Sequence, residues 1–474
     1  MRIDLLPDDV LLEIFEFCSE YDDDETFNKT AIERWQPLIQ VCRRWRSLVF
    51  RSPRRLNLQL CCTPKTPVKD TLDVWPALPL IIEGTLALSS STDNVIAALG
   101  QSNRVWQVSL DGWKLEEVLL AMQVPFPELT VLLLWSEDET PVVIPDSFLG
   151  GSAPRLRTLT LNSISFPGLP KLLLSATHLV YLSLNGIPHS AYISPQAIVA
   201  LIAALSSLRT LRLRFRSPQS RPDWESPSLP PQKRSILPTL AEFYFKGVTE
   251  YLEELLARID TPQLYQMSLN FFNQIDFNCP QLAQFINCTP TLRPPNATEV
   301  HVKFDDSTVS VTLGSWTSKF HSDDILIDIS CEEPDWQLSS IEQVCNWSLP
   351  PLSTVEELYI EHQYSKLVWK NEAIENDLWL QLLPPFTAVK DLYLSNEFAP
   401  GIAAALQELV GGGREVLPNL QNIFVKRLEL SKSFQKNIGQ FVAARQLTDH
   451  PIAISDWNKY SDLQLMIDEL FKSG

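Results

Sequence analysis

The sequence predicts an α/β fold built in two styles. An all-α module comes first, and a curved solenoid of alternating strands and helices succeeds it, with a parallel sheet on its concave side. Three observations predict it. Apolar residues fall at helical spacing over residues 6–18 and 37–50. Further along, the pattern apolar-x-x-apolar-x-apolar recurs with first positions 27, 23, 29, 32 and 24 residues apart. Glycine is scarce at 15 and proline plentiful at 35, where average usage gives roughly 33 and 24, so the elements are short and ended by frequent turns. A chain of 474 residues exceeds the roughly 250–300 that one core supports, which calls for several domains or an open-ended stack. The expected divisions are a helical module over 1–55, transitional first repeats over 56–100, the solenoid over 101–430 and a C-terminal cap over 431–474.

In the N-terminal module Pro7 suits a first helical turn, Asp8 and Asp9 complement the positive end of the helix dipole, and Val10, Leu11, Ile14, Phe15 and Cys18 fall on one face. A second helix is expected from about Pro37 to Phe50, with Leu38, Val41, Cys42, Trp45, Leu48 and Val49 inward and Arg43, Arg44, Arg46 and Ser47 outward. Between them lies the acidic stretch Tyr21-Asp-Asp-Asp-Glu-Thr. Fifty residues in two or three helices make a marginal core, so their apolar stripes call for an outside surface.

The runs L-P-D-D-V-L-L-E-I-F and L-I-Q-V-C-R-R-W-R-S-L closely resemble the F-box motif over residues 5–50. Leu6-Pro7 opening the first helix and Val41-Cys42-x-x-Trp45 in the last carry the likeness. The acidic connection is longer than usual. The resemblance implies a substrate-receptor subunit of a cullin-based ubiquitin ligase. In that reading Leu6, Pro7, Leu11, Ile14, Phe15, Leu38, Val41 and Trp45 form or support the surface that docks on a Skp-type adaptor and so on the cullin ligase core, with Trp45 favoured as internal packing. The alternative is that the helices only cap the body.

The repeat cores are Leu129/Leu132/Leu134, Leu156/Leu159/Leu161, Leu179/Leu182/Leu184, Leu208/Leu211/Leu213, Leu240/Phe243/Phe245 and Leu264/Met267/Leu269. Weaker matches extend them to Val105/Val108/Leu110, Val355/Leu358/Ile360, Val389/Leu392/Leu394 and Leu420/Ile423/Val425. Alternation over the last three positions marks a half-buried strand, and stretches such as 194–205 read as helices. One such unit cannot bury its apolar face alone, so neighbours must stack. The body resembles an irregular leucine-rich repeat domain. Near 297–330, Val300/Val302/Phe304, Val309/Val311/Leu313 and Ile325/Ile327/Ile329 alternate at period two, which predicts a strand meander as a local excursion of the solenoid. Residues 462–471 have helical periodicity and are expected to shield the last repeat.

The residue between the last two apolar positions of each strand should project from the concave face. These are Thr160, Ser183, Arg212, Tyr244, Ser268, Tyr359, Tyr393 and Phe424, with His301 in the same place. Tyr244, Tyr359, Tyr393 and Phe424 are candidate anchors for a protein substrate; alternatively they cover the sheet or pack beneath a loop. Glu357, Glu361 and Asp391 beside them favour a basic segment. Arg209, Arg212, Arg214, Arg216 and Arg221 hold no acid among them; Arg212 and Arg214, sharing one strand face with Arg216, are candidates for an acidic or phosphorylated segment, or a merely solvated face.

The net charge of −18 argues against nucleic acid, since neutralising phosphates needs concentrated Lys and Arg. No apolar run approaches the roughly 20 residues of a membrane span. The acids in the first apolar stretch exclude a signal peptide, and the chain is expected to begin at Met1 and to work in the cytoplasm, the nucleus or both. The eight cysteines form no CxxC and do not cluster with the histidines, so reduced thiols and no metal are expected. Asn-x-Ser/Thr triplets at Asn28, Asn287, Asn296 and Asn346 are expected to stay unmodified. G-x-S-x-G, H-E-x-x-H, phosphate-loop and dinucleotide fingerprints are missing. Gly411–Gly413 reads as a helix C-cap. The expectation is a non-catalytic adaptor without cofactor. A leucine-rich repeat scaffold without ligase association, and an enzyme with a site assembled from unrelated loops, are the other readings.

Overall fold

Pro7 and the two aspartates behind it start helix α1 (Asp8–Glu20). The single helix expected over 37–50 is instead two, α2 (Gln36–Val41) and α3 (Arg43–Arg51), separated by Cys42 in an extended conformation at φ −159°, ψ 168°. The Cys42 Sγ accepts a hydrogen bond from the Trp45 backbone N at 3.4 Å, filling the place a Ser or Asp takes at most helix starts. Because α3 restarts from that cap, Val41 and Cys42 leave the inward face of Trp45; both are exposed. The module is tied to the start of the repeat body by Trp35, whose buried Nε1 donates to the Gln59 carbonyl at 3.0 Å.

The computed structural model describes residues 6–20, 35–53, 55–56, 58–74, 76–87, 92–138, 142–167, 169–218, 233–272, 277, 279–292, 298–314, 325–331, 333–349, 352–362, 376–409, 416–426, 432–447 and 451–457. The acidic stretch 21–26, Arg221, the Gly411–Gly413 cap and the expected helix over 462–471 lie outside the described residues. The chain forms two compact units, Met1–Ile193 with Ala200–Arg212, and Ser194–Val199 with Leu213–Gly474.

In the first unit β1 (Leu60–Cys62), β2 (Leu80–Leu86), β3 (Val105–Gly112), β4 (Val131–Ser136), β6 (Thr158–Asn162) and β8 (Tyr181–Ile187) pair in that order, all parallel. The short β5 (Val142–Val143) and β7 (Ile164–Ser165) pair beside them. The apolar positions come into lateral register, Leu132 on Leu159 on Leu182 and Leu134 on Leu161 on Leu184, all buried. Each row extends the core of the last, which is how a unit too small to bury its own face becomes stable. The turn after β3 needs a glycine: Gly112 sits at φ 114°, and a Cβ there would stand 2.3 Å from the Leu86 carbonyl oxygen.

Strand β9 (Thr210–Phe215) is divided, its first three residues going with the first unit. The second unit holds β11 (Glu242–Gly247), β13 (Gln266–Phe271), β14 (Glu299–Phe304), β15 (Thr308–Leu313), β16 (Ile325–Ser330), β17 (Glu357–His362), β18 (Asp391–Leu394), β19 (Asn422–Val425) and β20 (Ala453–Asp456). It also holds the small pair β10 (Ser235–Ile236) and β12 (Ile259–Asp260). Aromatic rings replace leucine in its early core, with Phe215, Phe245 and Tyr251 in mutual contact at 4.7–6.3 Å.

The meander exists but is no excursion. It is inserted into the sheet in reversed order, β13–β16–β15–β14–β17. Strand β16 runs parallel to β13 and β14 parallel to β17, while β15 is antiparallel to both its neighbours. A reversed strand can join because its buried residues still alternate at period two, so Val309, Val311 and Leu313 continue the apolar face.

Consecutive helices are joined by more than apolar contact. Glu253, in the helix Thr249–Leu256, accepts hydrogen bonds from the backbone N of Gln281 and Leu282, each at 2.8 Å. It thereby caps the next helix, Pro280–Cys288, whose first amides have no intrahelical partner. Burial pushes the Glu253 carboxyl up from its ordinary value, against the opposing pull of those two bonds. Replacing Glu253 by Ala should therefore destabilise the second unit by about 1–3 kcal/mol, read as a lower urea midpoint. A midpoint equal to the parent's would show that the cap contributes nothing.

Candidate functional site

Helix α1 has two apolar faces. Leu11, Leu12 and Phe15 are buried, with the Phe15 ring 4.7 Å from Trp45 as expected for an internal Trp45. Val10, Ile14 and Phe17, at i, i+4 and i+7, are exposed at 38%, 37% and 62%, and Val41 at 59%. The eight residues predicted to meet an adaptor thus divide. Pro7, Ile14 and Val41 are exposed, Leu6, Leu38 and Trp45 are half-buried, and Leu11 and Phe15 are interior supports. The reason is helical geometry: an apolar arc spanning Val10, Leu11, Ile14 and Phe15 is too wide for one small module to cover. Phe17 was missed, although its spacing from Val10 and Ile14 signals it. Arg44, expected outward, turns back to Asp8 at 2.7 Å and to the Leu6 carbonyl, fixing the start of α1.

On the polar face of the second unit, parallel register brings His301, Tyr359, Tyr393 and Phe424 side by side. Their rings form a stack with centroids 4.2, 4.2 and 4.6 Å apart and planes within 12°. Each inner ring spends both faces on its neighbours. Trp457, directly after β20, leans across Tyr359 and Tyr393 at 5.8 and 5.4 Å. The expectation of projecting anchors is therefore corrected for Tyr359, which is 4% exposed, and for His301 at 3%, while Tyr393 and Phe424 are half-buried. Only pairing across strands could reveal the stack or the role of Trp457.

The carboxylates beside the stack already have partners. Tyr359 donates its hydroxyl to Glu357 at 2.7 Å, Asn422 its amide to Asp391 at 2.6 Å, and His301 lies 3.6 Å from Glu299 and 3.7 Å from Glu361. Burial works to raise the Glu361 carboxyl, but the His301 hydrogen bond and the Lys303 and Lys426 cations outweigh it and hold it below its ordinary value. Burial lowers Lys303, with Glu361 opposing.

Tyr244 is half-buried and donates its hydroxyl to Glu242 at 3.3 Å. Arg212 is half-buried with its guanidinium 5.4 Å from the Tyr181 ring, while Arg214 and Arg216 are exposed. Thr160 and Ser183 are buried; their side chains are short, and Asn185 donates its amide onto the Ser183 hydroxyl. Among the described residues no cluster of His, Cys, Asp and Glu could hold a metal, and no helix is long and apolar enough to cross a membrane. Cys42, Cys61, Cys62, Cys279, Cys288, Cys331 and Cys345 form no disulfide.

Residues 3–59 match the F-box-like family, so the N-terminal module is an F-box-like domain. No curated protein matches the chain. Among solved structures the chain is similar to the leucine-rich repeat-containing protein LegL7 from Legionella pneumophila, at 16% identity over 81% of this chain and 97% of that one, with a TM-score of 0.27. A chain of the Rad7 and Elc1 complex in yeast aligns at 14% identity over 90% and 91%, with a TM-score of 0.26. InlP from Listeria monocytogenes aligns at 14% identity over 52% and 87%, with a TM-score of 0.18.

One half-buried acid makes the polar face sensitive to pH. Burial pushes the Asp328 carboxyl up to about 6, against the hydrogen bond from Asn270 and the charge of Arg214. A native carboxyl that holds its proton more tightly than the unfolded chain stabilises at low pH, and that contribution is lost as pH rises through about 6. Asp328→Asn should therefore melt higher than the parent at pH 7.5, with the difference shrinking at pH 4.5. A pH-independent difference in melting temperature would refute this.

Proposed function

We propose that the chain is a substrate-receptor subunit of a cullin-type ubiquitin ligase, docking on a Skp-type adaptor through its F-box-like domain and holding a protein substrate on its repeats. The observation that carries the reading is the exposed stripe Val10, Ile14 and Phe17 on α1, with Val41 at the end of α2. Leu11, Leu12 and Phe15 fill the interior of the domain, and these four side chains present apolar surface to solvent. Full burial of a fully exposed side chain of this kind contributes about 1.5–3 kcal/mol, so covering the exposed fraction of each contributes roughly 0.5–2 kcal/mol. The reading asks for no catalytic residue in this chain, since the ligase core supplies the chemistry, and for a place in the cytoplasm or nucleus.

The scaffold reading also has an observation behind it. The Trp35 to Gln59 bond and the Arg55 to Glu16 ion pair at 3.2 Å tie the helices to the segment that leads into the first strand, as a cap would be tied. It leaves the outward stripe without a purpose, and the receptor reading is preferred for that reason.

Ile14→Asp and Phe17→Asp, each at an exposed position, should weaken adaptor binding at least tenfold in a titration of the purified full chain. The melting temperature should stay within about 2 °C of the parent, because exposed substitutions cost little stability. Leu11→Ala should lose both binding and stability. Failure of the parent chain to bind the adaptor, or parental affinity in both Asp variants, would sink the proposal.

A further inference from the structure

A recess of about 630 Å³ opens in the first unit, lined by Trp106, Thr130, Arg155, Arg157, Thr158 and His178 among others. Its size is that of a ligand site, and no Asp or Glu lines it. Arg155 is already paired with Glu128. Arg157 and His178 on its wall, and Arg209 beyond it on the same side of the sheet, are exposed, and their side chains form no ion pair among the described residues. In a chain of net charge −18, such a rim is where an anionic partner would be drawn and a cationic one repelled.

The backbone fixes the spacing of this rim. Thr130 N donates to the Trp106 carbonyl, Arg157 N to Thr130, Val180 N to Arg157 and Arg209 N to Val180, at 2.8–2.9 Å. Trp106, Thr130, Arg157, Val180 and Arg209 therefore stand one per strand across the sheet. Strands lie about 4.8 Å apart, which puts Trp106, Arg157 and Arg209 on a line at intervals of about 10 Å. A polyproline II segment repeats every three residues over about 9.3 Å, so its residues i, i+3 and i+6 share one side. The match is close.

We infer that this rim binds an extended acidic protein segment, with an apolar residue against Trp106 and carboxylates three and six residues further on against Arg157 and Arg209. Each carboxylate would meet a guanidinium that makes no ion pair among the described residues, and a carboxylate on a guanidinium is the strongest form of charged hydrogen bond. The acidic ledge beside the aromatic stack is the weaker candidate, because its carboxylates are already engaged by Tyr359, Asn422 and His301. The inference goes beyond the ligase reading by naming the chemistry of a cargo. Peptide binding is read on the chain alone, so failure of adaptor docking leaves it standing, and the reverse.

The test is fluorescence anisotropy with the full chain and a labelled nine-residue peptide carrying Leu, Glu and Glu at third positions between Pro and Ala. Binding is expected to weaken at least tenfold in Arg157→Glu and in Arg209→Glu, to weaken in Trp106→Ala, and to fall with added salt. Lys171→Glu, the same charge change at another exposed site, should bind as the parent does. A peptide of the same composition with its two Glu adjacent, and one with Gln for Glu, should bind at least tenfold more weakly. Parental binding in the two rim variants, or equal binding of the Gln peptide, would overturn the inference. Binding of a phosphoserine version without the Glu version, or of a single-stranded oligonucleotide in preference to the peptide, would also overturn it.

Discussion

Everything in the repeat body depends on one constraint: a strand and a helix of some 25 residues cannot bury their own apolar face, so each must present it to a neighbour in register. Leu132, Leu159 and Leu182 show the result, three side chains from three repeats lying in one row with almost no surface left to water. Hydrogen bonding fixes the lateral step and alternation fixes the face. The same constraint tolerates variety. Phenylalanine stands in for leucine at Phe243 and Phe245, and β15 runs backwards, because the row asks only for apolar volume at the right height.

What the core row fixes on one face it also fixes on the other. Residues between the apolar positions are carried into register whatever their chemistry, which is why His301, Tyr359, Tyr393 and Phe424 are stacked ring on ring. Stacking at this spacing uses up the ring faces, and Trp457 leans over what remains. Glu357 is held by the Tyr359 hydroxyl and Asp391 by the Asn422 amide, and Glu361 lies beside His301, so the acids on this part of the face are already engaged. Arg157 and Arg209, carried into register by the same backbone ladder, have no such partners among the described residues. Two surfaces with one origin thus differ in what they offer a ligand.

In the N-terminal domain the deciding feature is small. Cys42 adopts an extended backbone and caps α3 with its thiol, so the helix expected to carry Val41 inward ends at Val41 and leaves it exposed. Together with the split of α1 into buried Leu11 and Phe15 and exposed Val10, Ile14 and Phe17, this leaves a closed core with apolar surface to spare. A domain of this size cannot hide every apolar residue it carries, and the surplus is the part available to another protein.

The sequence by itself determined the class of the fold, the repeat rhythm, the F-box-like start and which strand positions of the repeats enter the core, because each is written in local periodicity that a helix or strand converts directly into a face. It also marked the meander, though as a departure from the sheet and not as three strands within it. The tertiary structure alone decided which apolar residues stay exposed, that the aromatic row is stacked and overlaid by Trp457, and that half-buried Asp328 has its carboxyl pushed up to about 6. Trp106, Arg157 and Arg209 come from three separate repeats, and nothing in their local sequence ties them together. Periodicity reports what a residue does within its own element, whereas exposure, stacking and charge alignment depend on the neighbour that the next repeat supplies.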